Sequence, residues 1–253
     1  MQIADIIGPF ITFLFVLVLV LERWIPREIM PAVRGWHWLG IVFFAANAAI
    51  NIGLPLLLPM HFIATHSVLP GMRLGPIGGF VVGFLVWEFV YYWFHRAEHR
   101  FDLLWRLVHQ MHHSPHRVDV AGFAFSHPFD LAAATLLNTV VSVGVLGLHP
   151  QAAAMVGLYV AVAALMQHAN LRTPRYLEWL MQRPEAHARH HEYGQHAGNY
   201  ADWPMLDKLF GTYRAPASQP LRYGFDDRAT RRMPAMLAGV DVNREIEALQ
   251  HHE

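Results

Sequence analysis

The sequence predicts an all-α, integral-membrane bundle of about four to five hydrophobic helices with a histidine-rich helical cap on the cytoplasmic side. Three observations support this prediction. Apolar residues make up 54% of the 253 residues and charged residues only 15%. Several apolar runs are close to the ~20 residues that a helix needs to cross a bilayer. Outside these runs, histidines recur at spacings of three and four residues, which place side chains on one face of a helix.

The N-terminal part is predicted to supply three crossings. Residues 7–21 form an almost unbroken apolar run with neither a basic leader nor a cleavage site, which favours an uncleaved helix over a signal peptide. A second helix is expected at 35–60, bent at Pro55, and a connecting loop or interfacial segment at 61–74. A third helix is expected at 75–94. Its last two turns are rich in tyrosine and tryptophan, as is typical of the headgroup level of a membrane.

The second half of the chain is predicted to add one helical hairpin. Residues 95–128 are polar and rich in histidine and arginine, so they are not expected to span. Apolar runs at 131–148 and 151–167 flank a His-Pro turn, and they either cross and return or form a re-entrant pair. No run after residue 170 is long enough to cross, and an amphipathic piece is expected at 240–249.

The distribution of arginine predicts the orientation. The loop after the first helix contains three arginines and the loop after the second contains only Arg73, whereas eight arginines surround the histidine clusters. Because cytoplasmic loops are enriched in positive charge, the N-terminus is expected outside and every histidine cluster in the cytoplasm.

Three compact histidine clusters dominate the sequence. We expect the members of each cluster to point in one direction from one helical face. A single metal ion rarely takes more than four protein ligands, so eight clustered histidines indicate two metal ions. An isolated histidine is usually a surface or core residue, but clustered imidazoles without a metal would bury polar nitrogens without partners. The eight are His95 and His99, then His109, His112 and His113, then His187, His190 and His191.

The absence of cysteine restricts the ligand chemistry. The chain has none, which excludes iron–sulfur clusters, thiolate-ligated haem and disulfides. Only nitrogen and oxygen ligands remain. Imidazole nitrogen is a suitable ligand for iron, zinc and copper.

The order and spacing of the clusters resemble the fatty acid hydroxylase and sterol desaturase superfamily of integral-membrane di-iron enzymes. The clusters read H-x3-H, H-x2-H-H and H-x2-H-H. The segment His127-Pro128-Phe129-Asp130 is similar to an H-P-x-[DE] segment of that superfamily, and His168 to its extra histidine between the second and third boxes. Asn199-Tyr200 and the stretch at 207–213 are similar to its N-Y and D-x-x-F-G-T-[FY] ending.

This resemblance covers about residues 80–214 and implies both a site and an activity. It implies two ferrous ions held by the eight box histidines and His168, with dioxygen as co-substrate in the hydroxylation or desaturation of a sterol, fatty acyl chain, alkylglycerol or related lipid. The chain departs from the pattern at Leu206, where tryptophan is frequent, and His168 has no histidine four residues away. We therefore divide the chain into N-terminal transmembrane helices (1–79), a catalytic region (80–214) and a cytoplasmic C-terminal tail (215–253).

Other polar residues are expected to be peripheral. Asp102, Asp119, Asp130, Glu185, Glu192 and Asp202 lie near the boxes and could orient imidazoles, but a solvated surface carboxylate is the simpler interpretation of each. The sequence leaves open whether His127 or His196 contacts a metal. His116 is separated from the second box by Pro115. The remaining histidines are interpreted as structural or exposed, and they are His37, His61, His66, His149, His251 and His252.

Two other classes of function fit the pattern less well. A non-catalytic metal-binding or metal-transporting membrane protein would place ionisable residues near mid-membrane, but the predicted spans hold few polar residues and the histidines cluster outside them. A membrane zinc hydrolase needs about three ligands, an open position and a general base, which nine histidines exceed. An oxygenase accounts for the pattern best.

The partners follow from the same interpretation. The substrate is expected to be a lipid drawn from the membrane, and no nucleic acid is expected to bind. The sequence has no cysteine for a cluster and no Gly-rich dinucleotide fingerprint, and the residues after Tyr213 are too few for a cytochrome b5-like domain. Electrons are therefore expected from a separate protein, ferredoxin-like or cytochrome b5-like. Its expected docking surface is arginine-rich and comprises Arg96, Arg100, Arg106, Arg117, Arg183 and Arg189.

Overall fold

The structure, a computed structural model, describes residues 3–225 and 231–244, with side chains from residue 6 onward. It is all-helical, with 65% helix and no strand among those residues apart from one isolated bridge between Glu192 and Tyr223. The predicted fold class is confirmed. Half of the expected amphipathic piece at 240–249 lies outside the described residues, and His251 and His252 lie outside them too.

Five stretches of the described chain are long and apolar enough to cross a membrane, which matches the upper end of the predicted number. The last two each have 18 residues, and at 1.5 Å per residue this is about 27 Å, close to the hydrocarbon thickness. Their helices are α1 Ile3–Trp24, α2 Trp36–Leu56, α4 Gly75–Arg100, α7 Pro128–Thr139 with its π-helical continuation Val140–Val145, and α8 Pro150–Gln167.

Shorter helices connect these stretches and build the cap. The predicted connecting loop at 61–74 contains two of them, so that prediction was only partly right. The short elements are α3 Met60–Thr65, the 3₁₀-helix Gly71–Leu74, α5 Asp102–Leu104, the π-helix Trp105–His109, α6 Gln110–His113, the 3₁₀-helices Val120–Gly122 and Arg175–Trp179, α9 Pro184–His190, α10 Met205–Leu209 and α11 Met233–Leu237.

Proline sets the end of α2. The helix includes Pro55 but ends one residue later, at Leu56, rather than near residue 60. Leu58 precedes Pro59, and a residue before proline disfavours the helical conformation. Pro59 then sits at the N-cap position of α3. The predicted bend is therefore a break between two helices.

The helices α4 and α8 pack side by side and run in the same direction. A Cβ at Gly79 would lie 2.9 Å from the Ala152 Cβ, and one at Gly83 would lie 2.9 Å from a Val156 methyl. Glycines four residues apart therefore let the two helices approach closely. Because the pairs advance together along both helices, the C-terminal end of α4, with His95, and the end of α8, next to His168, meet at the same end of the bundle.

A separate apolar core supports the cap. Trp36, Met111, Phe125 and Phe225 are all buried in it. The Trp36 indole also donates to Asp119 Oδ1 at 2.8 Å, which ties the start of α2 to the segment that follows the second histidine box. This core holds the cap against the bundle at the end where the histidines lie.

Candidate metal centre

Nine histidines converge in two groups at the cap end of the bundle. In each group, one ring nitrogen per residue lies within 4.8 Å of the others. These are the nine that the sequence singled out, and His168 joins them although it has no histidine four residues away. Eight of the nine side chains are buried and His99 is half-buried. Group one comprises His95, His99, His109, His113 and His190, and group two comprises His112, His168, His187 and His191.

The groups divide the second and third boxes, which corrects the expectation that each box points in one direction. His109 and His113 face group one while His112 faces group two, and His187 and His191 face group two while His190 faces group one. The reason is helical geometry. At about 100° per residue, positions i and i+4 are only about 40° apart, whereas i+3 lies about 100° from i+4. Each H-x2-H-H box therefore gives an i, i+4 pair to one group and its middle histidine to the other.

Backbone carbonyls orient three of the imidazoles. The Nδ1–H groups of His95, His168 and His190 donate to the carbonyls of Tyr200, Ala164 and Gly198, each at 2.7 Å. A carbonyl can only accept, so Nδ1 carries the proton in all three rings. Their Nε2 atoms therefore present lone pairs. For His95 and His168, the Nε2 atoms lie within hydrogen-bonding distance of other histidine nitrogens in their own groups.

The loop that provides two of these carbonyls is itself held by buried polar side chains. Asp207 is fully buried and accepts from the backbone N–H groups of Tyr200 at 2.8 Å and Ala201 at 2.9 Å, and from the Thr212 hydroxyl at 2.7 Å. Asp207 itself belongs to α10, so its carboxylate connects the loop to a helix of the cap. The sequence motif around 207–213 thereby fixes the position of the Tyr200 carbonyl and, through it, of His95.

Asn199 fixes the other half of the loop. It has a φ of +53°, a left-handed conformation that asparagine tolerates better than most residues. Its side-chain amide donates to the Ala186 carbonyl at 2.7 Å, and its side-chain oxygen accepts from the Arg214 N–H at 2.7 Å. The Ala186 contact ties the loop to α9, which carries the third box. Asn199 therefore helps to place the neighbouring Gly198 carbonyl, the acceptor from His190.

The spacing of the nitrogens suits metal ions. His109 Nε2 lies 3.0 Å from both His95 Nε2 and His113 Nε2, and His168 Nε2 lies 3.0 Å from His112 Nε2. An ion bonded to imidazole nitrogens at about 2.1 Å holds adjacent ligand atoms roughly 3.0–3.4 Å apart. Converging lone pairs repel one another unless a cation lies between them. Several other buried ring nitrogens, including His99 Nε2 and His190 Nε2, have no hydrogen-bond partner, so the donor set fits bound metal.

The histidines of the cap are held in their neutral form. Burial lowers the pKa of His168 to about 4. Burial, and then the neighbouring imidazoles, place the pKa values of His112 and His191 well below 6.5. The same causes lower the pKa of His187 and His190. A neutral imidazole has the free lone pair that a metal ion requires.

The two groups are adjacent. The rings of His113, in group one, and His191, in group two, stack with centroids 4.3 Å apart. The His113 ring also lies 4.6 Å from His190 of its own group, so His113 stands at the boundary. The arrangement can therefore hold two ions as neighbours within one site.

Carboxylates beside the site are more buried than the sequence suggested. Asp119 and Asp202 are both 2% exposed, so their interpretation as solvated surface groups was wrong. Asp119 accepts from the Trp36 indole, and Asp202 accepts from the Gln167 amide at 2.7 Å. Burial raises the pKa of Asp202 to about 6. Asp102 is exposed as expected, and Glu185 and Glu192 are half-buried in ion pairs with arginine.

Glu98 is a buried acid that the sequence reasoning missed. Its Oε2 lies 3.7 Å from His109 Nδ1, and Asp130 Oδ2 lies 3.6 Å from the same nitrogen. Both distances exceed a hydrogen bond, but the two carboxyl groups flank one imidazole of group one. The position of Glu98, three residues after His95 within the first box, was the available signal.

The other described histidines lie outside both groups. His127 caps α7, with Nδ1 accepting from the Phe129 N–H at 3.1 Å and Nε2 beside the Leu237 carbonyl at 3.2 Å. His116 Nε2 donates to the Phe225 carbonyl at 2.8 Å. His196 Nδ1 lies 3.2 Å from the outer nitrogen of His113, so it stands behind group one. His149 caps α8.

Comparison with known proteins agrees with this site. A sequence model of the family described as fatty acid hydroxylase matches residues 80–212, slightly more than half of the chain. The matched range contains all nine histidines and the loop that orients His95 and His190. Neither the comparison with curated proteins nor that with solved structures found a match.

Proposed function

The chain belongs to the fatty acid hydroxylase family, and from that premise we propose that it is a membrane-bound di-iron oxidoreductase that uses O₂ to hydroxylate or desaturate a lipid-type substrate. The observation that carries the proposal is the convergence of nine histidines in two adjacent groups at the cap end of apolar helices. Imidazole is a ligand of ferrous iron, and five plus four nitrogens suit two ions.

The proposed reaction has two possible outcomes. Hydroxylation converts a C–H bond into C–OH, with one oxygen atom of O₂ entering the product and the other leaving as water. Desaturation removes two hydrogens from adjacent carbons, and both oxygen atoms leave as water. Either outcome consumes two further electrons and two protons. When bound, two ferrous ions would supply the chemistry that activates O₂ for attack on an unactivated C–H bond.

The residues of the chain would bind the two ions and orient the imidazoles that hold them. The Tyr200 and Gly198 carbonyls fix the tautomers of His95 and His190, so that Nε2 is available to an ion. Asp207 holds the loop that carries these carbonyls. The burial of eight of the nine imidazoles excludes bulk water from the ligands. The apolar helices α4 and α8 end at the site, which would allow a lipid chain to approach from the bilayer.

We place the histidine groups on the cytoplasmic side. The support is the bias of arginine in the sequence, since the loop at the opposite end of α4 contains Arg73 alone. All nine histidines lie at one end of the bundle, so both groups would lie on the same side of the membrane.

We further propose that a separate ferredoxin-like or cytochrome b5-like protein supplies the two electrons. The ion pairs formed by the arginines around the boxes guide our choice of a docking surface. Of the six arginines around the boxes, four have carboxylate partners nearby, namely Arg106 with Asp102, Arg117 with Asp119, Arg183 with Glu185 and Arg189 with Glu192. Arg100, at the end of α4, is exposed and has no ion pair among the described residues. It is the strongest candidate for steering an acidic carrier.

Oxygen labelling tests the proposed reaction. Cells that express the wild-type chain or the His112→Ala variant are grown under ¹⁸O₂, and their extracted lipids are compared by mass spectrometry. We expect wild-type cells alone to contain a lipid with one ¹⁸O atom in a new hydroxyl group, or a lipid that lacks two hydrogens. A product that takes its oxygen from H₂¹⁸O would indicate hydrolysis. An unchanged lipid profile with bound metal would favour a non-catalytic metal-binding protein.

A further inference from the structure

One segment of the cap exposes a cluster of large apolar side chains. It comprises the 3₁₀-helix Arg175–Trp179 and the two residues after it, and we refer to it as the 175–181 segment. Tyr176 is 70% exposed, Trp179 is 72% exposed and Leu180 is 60% exposed. The segment is too short and too polar at its start to count among the crossing helices. Such a cluster indicates a surface that something apolar covers.

A hydrogen bond to α8 shows how deep the segment lies. The Tyr159 hydroxyl donates to the Leu180 carbonyl at 3.0 Å. Tyr159 lies eight residues before Gln167, the last residue of α8, which is about 12 Å along the helix axis. Side chains of a helix lean towards its N-terminus, and for α8 this direction leads away from the metal site. Leu180 therefore lies beside the middle of a membrane-spanning helix rather than above its end.

Trp203 anchors the segment to α4 at a similar depth. Its indole donates to the Trp179 carbonyl at 3.0 Å, and its backbone N–H donates to Glu88 Oε2 at 2.8 Å. Its ring lies 5.5 Å from Phe84. Glu88 and Phe84 belong to the middle of α4 and Glu88 is 1% exposed, so this buried carboxylate holds a loop of the cap against a membrane helix.

The backbone of the segment meets a strict requirement of the bilayer interior. Non-helical backbone is tolerated there only if the protein satisfies its polar groups. The carbonyls of Trp179 and Leu180 accept from the Trp203 indole and the Tyr159 hydroxyl. The N–H groups of Leu180 and Met181 both donate to the Leu177 carbonyl, at 2.9 and 3.0 Å. These groups need no water.

We propose that the 175–181 segment dips into the bilayer beside α4 and α8, and that Tyr176, Trp179 and Leu180 contact lipid acyl chains. The neighbouring α4 also exposes apolar side chains, with Leu85 and Phe89 each 50% exposed. Arg172 and Arg175, both exposed at its start, are placed to meet lipid phosphates. Glu178 is neutralised by an ion pair with Lys208. The inference rests on the membrane location alone and is independent of the proposed reaction.

Site-specific fluorescence tests this insertion, and the absence of cysteine makes the labelling specific. Trp179→Cys and Tyr176→Cys are labelled with a thiol-reactive bimane in full-length protein and reconstituted into phosphatidylcholine nanodiscs. Phe89→Cys on α4 is the lipid-facing control, and Ser218→Cys on an exposed cap loop is the aqueous control. Trp179 contributes only its backbone carbonyl to the contact with Trp203, so substitution preserves that anchor.

We expect both segment positions to match Phe89→Cys. Their emission should be shifted to shorter wavelength than that of Ser218→Cys. Lipids brominated in the acyl chain should quench them, whereas aqueous iodide should not. Quenching by iodide and not by brominated lipid at both positions would overturn the proposal. Protection from both quenchers would show that protein, such as a second copy of the chain, covers the segment. That result would also overturn the proposal.

Discussion

The imidazole of His95 donates to the backbone carbonyl of Tyr200 at 2.7 Å, across 105 positions of the chain. This bond joins the first histidine box, at the end of a membrane helix, to a loop of the C-terminal cap. The loop is held in turn by Asp207. The candidate metal site is therefore assembled by the cap and the bundle together, and its histidines are positioned by residues outside both groups.

Removing Asp207 should disturb group one without removing a ligand. In Asp207→Ala, the N–H groups of Tyr200 and Ala201 and the Thr212 hydroxyl lose their acceptor. Each buried group without a partner costs about 1–3 kcal/mol, so we expect a free energy of unfolding lower by roughly 3 kcal/mol or more. Thermal unfolding in detergent and metal analysis check this. Asp102→Ala, on an exposed carboxylate, should change both by little, and equal effects would contradict the positioning role.

Metal content should follow the two histidine groups. Wild-type protein purified in detergent is expected to hold two irons per chain. His190→Ala, in group one, and His112→Ala, in group two, should each lower the metal content and abolish turnover. His66→Ala, at an exposed position outside both groups, is the control and should do neither. One tightly bound metal at full occupancy in the wild type would contradict two sites, whereas zinc in an overexpressed sample would not, because zinc binds such ligands more tightly than ferrous iron.

Acid should destabilise the metal-free protein. The pKa of His168 is lowered to about 4 in the fold, against about 6.5 for an ordinary histidine. Its contribution to stability is present above pH 6.5 and is lost as the pH falls towards 4, because the unfolded chain then binds the proton that the fold resists. This residue alone contributes roughly 3 kcal/mol, and neighbouring histidines are shifted in the same direction. Asp202 acts in the opposite sense, because burial raises its pKa to about 6.

Thermal unfolding of chelator-treated protein between pH 8 and pH 4 measures this balance. We expect the midpoint to fall steadily below pH 6.5, since the histidines whose pKa is lowered outnumber the cap carboxyl groups whose pKa is raised, Asp202 and Asp207. His168→Asn removes one titrating group and should reduce the slope. A midpoint that rises on acidification would show that buried carboxylates outweigh the imidazoles.

The proposed electron carrier should respond to salt. Salt shortens the range of electrostatic attraction, the Debye length, from roughly 10 Å at 0.1 M to about 3 Å at 1 M. Turnover driven by a reconstituted carrier should therefore fall as salt rises, whereas any turnover driven by added peroxide should not.

Arg100→Gln should raise the KM for the carrier and leave kcat nearly unchanged. Arg73→Gln, in the 3₁₀-helix at the opposite end of α4 and also exposed, is the matched control. An equal effect of the two variants would contradict docking at Arg100. Full activity with NADPH alone would remove the need for a carrier.

The sequence by itself determined the fold class and the identity of the clustered histidines. Long apolar runs and i, i+4 spacings are local properties, and a helix converts them directly into a membrane span or a shared face. The family match over 80–212 coincides closely with the range in which those motifs occur. The approximate bounds of α1, α4 and α8 were predictable for the same reason.

Only the tertiary structure decided how the histidines are shared. Spacing within one helix fixes the angles between side chains but not which neighbouring helix each side chain meets, so the division of His109, His112 and His113 between two groups could not be read from their order. The burial of Glu98, Asp119 and Asp202 likewise depends on segments distant in the chain that cover them. Asp207 and Tyr159 act through hydrogen bonds to the backbone of other segments. Polar backbone groups occur at every residue, so no sequence pattern marks the ones to which a given side chain will bond.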